Sequence, residues 1–516
     1  MGSLHQELFE RARSLQSEIE QFAVHVRETR VGTTTQLQSR LNSLSSDVQV
    51  DARALERKIK QVRQADDPGV PDVNGLSGAN LPFYEAIWEM VKRSRDIVDI
   101  RCKICITPTC KPALAPGNRI MPSLGTQSSS KLRHITVDVI TDGGLAWYKV
   151  STMTNRKLIY DLAKEAVYCG DSDDDDDDPL DDENADLDIP LLKIAKDLTQ
   201  AAANHRIRTK QPQTYIILPR VSEGENIQVD KLLQHCRRTG ATILCGAALP
   251  PVPNFSMGLM EIMFPSPSSS FTKVLNIDTS VLVALASDFS HTAVPRQGWY
   301  NRHHVAHWEQ EKKEHFLPTH LYPILGNHEL VCVIEAAETL RHIVSTMGTP
   351  AEKARARAIL GEDGLGTVQQ ELITALQGLS IYDVPSTLRL PIRVVEQTGN
   401  NCQQRLNDAT KRVLAGQLNP GRSVFTYGWA SGTTSITCNA AAVKQMATEL
   451  EGEPQLDDAV WPSIWAFPTS RPLVGTPKPE GIVVRAKKHI GDCQTNGCTC
   501  GLDKFYTDKD LKEDLE

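Results

Sequence analysis

Leu4, Leu8, Leu15, Ile19, Phe22 and Val26 recur at helical spacing with charged residues between them, so the chain begins with an amphipathic helix carrying one apolar stripe. Gly32 interrupts the pattern, which resumes from about Thr35 to Gln64, and residues 1–65 are therefore expected to form a helical hairpin of coiled-coil character. A stripe of this width usually buries within its own fold; left uncovered, it would offer a protein partner a helical face. Asp66 to Asn80, rich in Asp, Pro and Gly, reads as a linker, and helix is expected again from Leu81 to Ile100. The period then changes to two. His134–Ile140 alternates as a strand, Asp142-Gly143-Gly144 turns, and Ala146–Val150 returns as the other half of a hairpin.

A helix from Leu191 to Asn204 precedes the apolar run Thr214–Leu218, a helix from Val229 to Gly240 and a second apolar run, Ala241–Cys245. Strand, helix and strand at this spacing predict a βαβ unit with a parallel pair, so residues 81–250 are expected to form a mixed α/β domain. Residues 171–187 concentrate so much negative charge that self-repulsion predicts a disordered surface insertion, with Ser172 exposed to an acid-directed kinase. Pro250 to Ser270 reads as the interdomain linker, and Met257, Met260 and Met263 within it as a packing stripe.

The second domain opens on Val-Leu-Asn-Ile-Asp278-Thr279-Ser280, an apolar strand that ends at a carboxylate before hydroxyl residues begin an apolar helix. Ligands of parallel α/β sheets collect at the C-terminal ends of strands, which puts Asp278 where a metal or phosphate would be held. Capping the helix is the competing use of the same residue. Glu329–Ile334 repeats the layout and leads into a helix bearing Glu335 and Glu338; Asn407-Asp408-Ala409 opens another helix, and Ser423–Tyr427 is expected to be the next strand.

This succession of strand, acid and helix resembles the PIN-like nucleases. Together with Asp142-Gly143-Gly144, Trp147 and the Leu275–Ala286 segment, the order of the whole chain resembles the domain-of-unknown-function 1308 family. The resemblance covers most of the length, leaving out the acidic insertion and the C-terminal tail. It implies an α/β fold in which a PIN-like domain with a central parallel sheet occupies residues 271–450, preceded by the helical hairpin and the mixed domain, and followed by a partly disordered tail, 456–516. It implies metal-assisted phosphodiester hydrolysis, with Asp278, Glu338 and Asp408 holding Mg²⁺ or Mn²⁺ and Glu335 as the alternative to Glu338. Thr279 and Ser280 support the first acid. A fourth acid is missing: after the expected last strand the chain reads Gly428-Trp429-Ala430-Ser431-Gly432, where Ser431 and Thr433 offer neutral oxygens. The implied function is a ribonuclease-like protein acting on or binding RNA, or else a catalytically inactive scaffold or protein-interaction module of the same fold.

Composition narrows the field. With 516 residues, 40% apolar, the chain has material for two cores, and its net charge of -8 comes largely from the acidic tract. No apolar run approaches the roughly 18 residues a membrane span needs, and the amphipathic N-terminus differs from a secretory signal. Twelve cysteines without such a signal read as reduced thiols of the cytoplasm or nucleus. Cys102-Lys-Ile-Cys105 with Cys110 is a candidate zinc half-site, as is the group Cys493, Cys498 and Cys500 near His489. His303, His304, His307 and His315 lack the zincin order and read as a solvated helix. His205–Lys210 and Lys478–His489 are basic enough to meet RNA phosphates, although 5% aromatic content leaves few stacking platforms. P-loop, dinucleotide and serine-hydrolase motifs are absent.

Overall fold

The computed structural model describes residues 2–29, 36–64, 80–106, 133–169, 187–362, 368–396, 406–453 and 456–476. The expected linker at 66–79, the acidic insertion up to residue 186 with Ser172, Cys110, and the C-terminal group of His489, Cys493, Cys498 and Cys500 lie outside them, as does Lys478–His489. Two compact units divide the chain. The first comprises Met1–Thr272, Gln403–Gln417 and Ala440–Ser463, and the second Lys273–Cys402, Leu418–Asn439 and Ile464–Glu516.

In the first unit, α1 (Gly2–Thr29) and α2 (Gln36–Gln64) form the expected hairpin. Their stripe is used within the unit: Ile19, Phe22, Leu41, Leu44 and Val48 are fully buried in one core with Trp88 of α3 (Leu81–Arg93). Each such side chain contributes about 1.5–3 kcal/mol of burial. Glu18 fastens the hairpin by accepting the Trp88 indole N–H at 2.7 Å and the Lys92 ammonium at 3.0 Å. The helix expected to reach Ile100 stops at Arg93, and the apolar alternation beyond it is strand β1 (Asp99–Ile106).

Strands β2 (Arg133–Thr141) and β3 (Ala146–Val150) are the expected hairpin around the Asp142-Gly143-Gly144 turn. After α4 (Asn155–Cys169) and α5 (Pro190–Ala203) come β4 (Gln213–Leu218), α6 (Ile227–Arg238) and β5 (Thr242–Cys245), with β4 and β5 parallel. The sheet runs in chain order, β1-β2-β3-β4-β5. One face carries the hairpin core; the other packs α5 and α6 through Leu191, Leu198, Leu232 and Leu233. Leu187, the last residue of the expected insertion, is buried in this second core. The Pro250–Ser270 stretch is not a plain linker: α7 (Met257–Met263) buries Met260 and Met263 of the expected stripe, one turn apart, in the hairpin core, while Met257 is exposed.

The second unit is built on an all-parallel sheet. Strand β6 (Val274–Ile277) leads into α8 (Thr279–Ala286), α9 (Asp288–His291), α10 (Arg302–Lys313) and α11 (Tyr322–Leu325). Strand β7 (Glu329–Val333) is followed by α12 (Ile334–Met347), α13 (Pro350–Leu360), α14 (Gln369–Gln377) and β8 (Arg393–Val395). Helix α15 (Asp408–Ala415) belongs to the first unit; α16 (Gly421–Ser431) and β9 (Thr434–Thr437) return to the second. Helix α17 (Ala440–Glu451) is again of the first unit, and β10 (Ile464–Ala466) completes the second. The order is β10-β9-β6-β7-β8.

Two expectations change here. Ser423–Tyr427 is helical, because Val424, Phe425 and Gly428 bury at helical spacing against β6, β7 and β9, and the last inner strand is β9. A Cβ on Gly428 would sit 2.0 Å from Ser435 Oγ and 3.0 Å from Asn276 Nδ2, so only glycine lets α16 lie this close to the sheet. The described part of the expected tail, 456–476, is structured. β10 pairs with β9, and Arg471 beyond it is buried in an ion pair with Glu311 at 2.5 Å, while Glu352 accepts the amides of Val474 at 2.7 Å and Gly475 at 3.2 Å.

Candidate active site at the parallel-sheet edge

The chain enters the second sheet at its centre, moves outward through β7 and β8, and comes back on the opposite side of β6 as β9 and β10. The connections diverge between β6 and β9, and the carboxyl ends of such a pair are the usual ligand position of an open parallel sheet. Asp278 stands there. Its amide continues the ladder to the Ile436 carbonyl at 3.0 Å, and its carboxylate does not cap α8. Instead Oδ2 accepts the hydroxyls of Ser280 at 2.5 Å and Thr437 at 2.7 Å. Those hydroxyls are themselves oriented: Cys438 N–H donates to Ser280 Oγ at 2.9 Å and Asn439 N–H to Thr437 Oγ1 at 2.9 Å. Asp278 is buried and, among the described residues, forms no ion pair. Burial first, and the Asp278 charge second, push the neighbouring Cys438 thiol up to about 12, so it stays neutral.

The next strand end supplies the second acid. β6 and β7 run in register from Val274 opposite Glu329, which sets Glu335, the second residue past β7, beyond the position facing Asp278. Glu335 is half-buried and its Oε2 is buried without a hydrogen-bond partner among the described residues, whereas Glu338, one turn further along α12, is exposed. Of the two alternatives, Glu335 is the one at the strand edge.

The other residues named from sequence have different settings. Asp408 is the first residue of α15 in the first unit, 88% exposed and 3.3 Å from Lys411. Ser431 and Thr433 hydrogen-bond one another at 2.9 Å ahead of β9; as β9 is parallel to β6, they lie at the amino end of the sheet, opposite Asp278. Thr279 is buried in α8, and its hydroxyl has no partner among the described residues. The residues that sequence reasoning missed are Thr437 and Asn439. The Gly432 break before the alternating Thr434-Ser-Ile-Thr437 was their signal. No carboxylate follows β9, since none occurs between Asp408 and Glu449.

Among the described residues no three His, Cys, Asp or Glu side chains converge on a point. The edge therefore offers two carboxylates and neutral oxygens. That set fits Mg²⁺ or Mn²⁺, hard cations that keep several waters and take one or two protein carboxylates beside a substrate phosphate; the orphaned Glu335 oxygen is the observation in favour. Cys102 and Cys105 are free thiols in β1, three residues apart and thus on opposite strand faces. Helix α10 is less solvated than expected. His304 and His307 are half-buried, and burial lowers the pKa of both; His303 is exposed.

The second unit is thus an α/β fold whose open parallel sheet carries an acid at its switch point. Residues 275–369 match the family model described as protein of unknown function (DUF1308), which shows for this segment the family that the sequence resembles. The matched stretch contains Asp278, Glu335 and Glu338. Comparison with curated proteins and with solved structures gave no match. No helix among the described residues is long and apolar enough to cross a membrane.

Proposed function

We propose that the second unit is a PIN-like, metal-dependent ribonuclease-like domain that binds and cleaves RNA inside the cell, in the cytoplasm or nucleus. One observation carries the reading: at the switch point of a parallel sheet, Asp278 is withheld from capping α8 and held by Ser280 and Thr437, with the unpartnered Glu335 carboxylate oxygen at the adjacent strand end. Asp278 and Glu335 would hold the Mg²⁺ or Mn²⁺. Such a cation neutralises phosphate charge and lowers the pKa of its water. The chain's own part is orientation. Ser280 and Thr437 fix the Asp278 carboxylate in one rotamer and leave its other oxygen for binding, and the rigid strand end keeps the acid from following a moving loop. RNA as substrate rests on the resemblance to PIN-like nucleases.

A second reading has its own support. β9 ends on Cys438-Asn439 where a carboxylate would complete the acid set, which favours a PIN-derived scaffold for protein partners. Hydrolysis of single-stranded RNA with Mn²⁺ separates the two. Wild type is expected to cleave, and Asp278→Asn to fall to background while its melting curve is kept; equal background rates in both would leave the scaffold.

A further inference from the structure

Along β1, the edge strand of the first sheet, a cavity of about 550 Å³ opens between the strand and the N-terminal half of α2. The described residues that line it all have polar side chains, without a carboxylate, although their aliphatic stems supply at least as much of the surface as their polar atoms: Arg40, Ser39 and Ser43 from one face of α2, Arg101 and Lys103 from one face of β1, and Thr136, which pairs with Lys103 across the strands. Gln36, the first residue of α2, closes one end. In a chain with a net charge of -8, the described lining residues, three cations and no acid among them, set this place apart.

The two guanidiniums are held in position from behind. Arg40 donates to Asp99 at 3.1 Å and to the Arg101 carbonyl at 2.8 Å, with a weak contact to Cys102 Sγ at 3.9 Å. Arg101 donates to Asp47 at 2.5 Å. Neither carboxylate lines the cavity. A guanidinium carries five N–H donors, so both arginines, and Arg101 above all, keep donors for an incoming oxygen acceptor. Lys103 is exposed and has no acidic partner among the described residues. Of the other acids around Arg101, Asp138 is committed to Lys149 at 2.9 Å and to the Val150 amide at 2.8 Å, and Asp51, one turn beyond Asp47 on α2, accepts the Asn80 amide at 3.0 Å. Arg40 pairs with Asp99 and Arg101 with Asp47, which leaves Lys103 as the cation without an ion pair among the described lining residues.

The backbone here is also unusual. Arg101 lies in the left-handed region at φ 49 inside a strand, a conformation that a residue with a Cβ rarely adopts. The strand changes face at this point: Ile100 packs in the hairpin core, while Ile104 and Ile106 pack in the core on the other side of the sheet. This switch brings the Arg101 and Lys103 side chains into one cavity beside α2.

We propose that this cavity is a binding site for closely spaced phosphate groups. Its volume falls within the roughly 300–1,000 Å³ of small-ligand sites, and as no described lining residue is an aromatic or aliphatic side chain able to recognise a ring, charge-assisted hydrogen bonds to phosphate oxygens supply the selectivity. Two sources carry that chemistry, a free polyphosphate and successive phosphates of an RNA backbone. The site lies in the first unit and does not depend on catalysis at Asp278.

The test is binding of inorganic tripolyphosphate and of a short oligouridylate to the full chain by calorimetry in low salt with EDTA. Wild type, Lys103→Glu, Ser39→Glu and Asp278→Asn are compared, with melting curves for each. Both glutamate variants change exposed positions, one on β1 and one on α2, so a folding defect in one leaves the other informative. Wild type and Asp278→Asn are expected to bind tripolyphosphate alike, and each glutamate variant to weaken it about tenfold or more. A parallel loss with oligouridylate names the RNA backbone as the source; an unchanged oligouridylate affinity names a free polyphosphate. Equal tripolyphosphate affinity in all four proteins, or none in wild type, would overturn the proposal.

Discussion

The two five-stranded sheets of this chain differ in the path taken through them, and the path decides where each can hold a ligand. In the first, strands follow chain order, so no pair of parallel neighbours has connections that diverge, and its candidate chemistry sits beside the edge strand β1. In the second, the chain starts at the centre and returns on the other side, which makes the ends of β6 and β9 a switch point and puts Asp278 there. The means of cohesion differ too. The first unit fastens its helical hairpin with a long apolar stripe, while the second buries the Arg471–Glu311 pair, the Glu352 carboxylate and neutral His291 among its helices.

This contrast can be broken most forcefully by deleting one element of each kind. Phe22→Ala should cost about 3–5 kcal/mol, and hydrogen exchange should place the loss in the first unit. Glu311→Ala, which strands a buried guanidinium, should cost a similar 3–5 kcal/mol or so, with exchange rising around α10 and residues 467–476 of the second. Loss spread evenly over both units in either variant would contradict the division.

A pH series sharpens the same point. Burial first, and the charge of Arg355 second, lower the His291 pKa to about 3 from 6.5. As the pH falls below 6.5 the unfolded chain binds a proton that the folded chain refuses, so stability is full above 6.5 and falls by about 1.4 kcal/mol per pH unit toward pH 3. His291→Gln, which keeps a donor for the Leu285 carbonyl, should flatten that slope in urea titrations of the second unit. Gly428→Ala comes next: forcing a methyl against Ser435 should cost roughly 1–3 kcal/mol, read as a lowered melting temperature. The smallest effect is expected from Thr437→Val. It removes one of the two hydroxyls on Asp278 and should weaken Mn²⁺ binding by about tenfold with little change in melting.

How far the sequence anticipated this depends on which force shaped each segment. The hairpin, the β2-β3 turn, the βαβ pair and the step from β6 to Asp278 were legible because local periodicity and burial agree there. Ser423–Tyr427 was misread as a strand, since Val424, Phe425 and Tyr427 favour strands locally while their burial against β6 and β9 at helical spacing, with Gly428 admitting the sheet, is a tertiary effect. That error moved the last strand end from Thr437 to Tyr427 and attached Ser431 and Thr433 to the wrong edge. The cavity beside β1 was not legible at all. It needs Arg101 in a left-handed conformation to bring residues of α2, β1 and β2 together, and nothing in Arg-Cys-Lys announces one.

Asp278 and Glu335 are proposed to hold one cation between them. Titration of Mn²⁺ into the full chain, followed by electron paramagnetic resonance, measures this directly. One strong site is predicted in wild type, lost in Asp278→Asn and in Glu335→Gln and retained in Glu338→Gln. Identical Mn²⁺ binding in wild type and Asp278→Asn would contradict it.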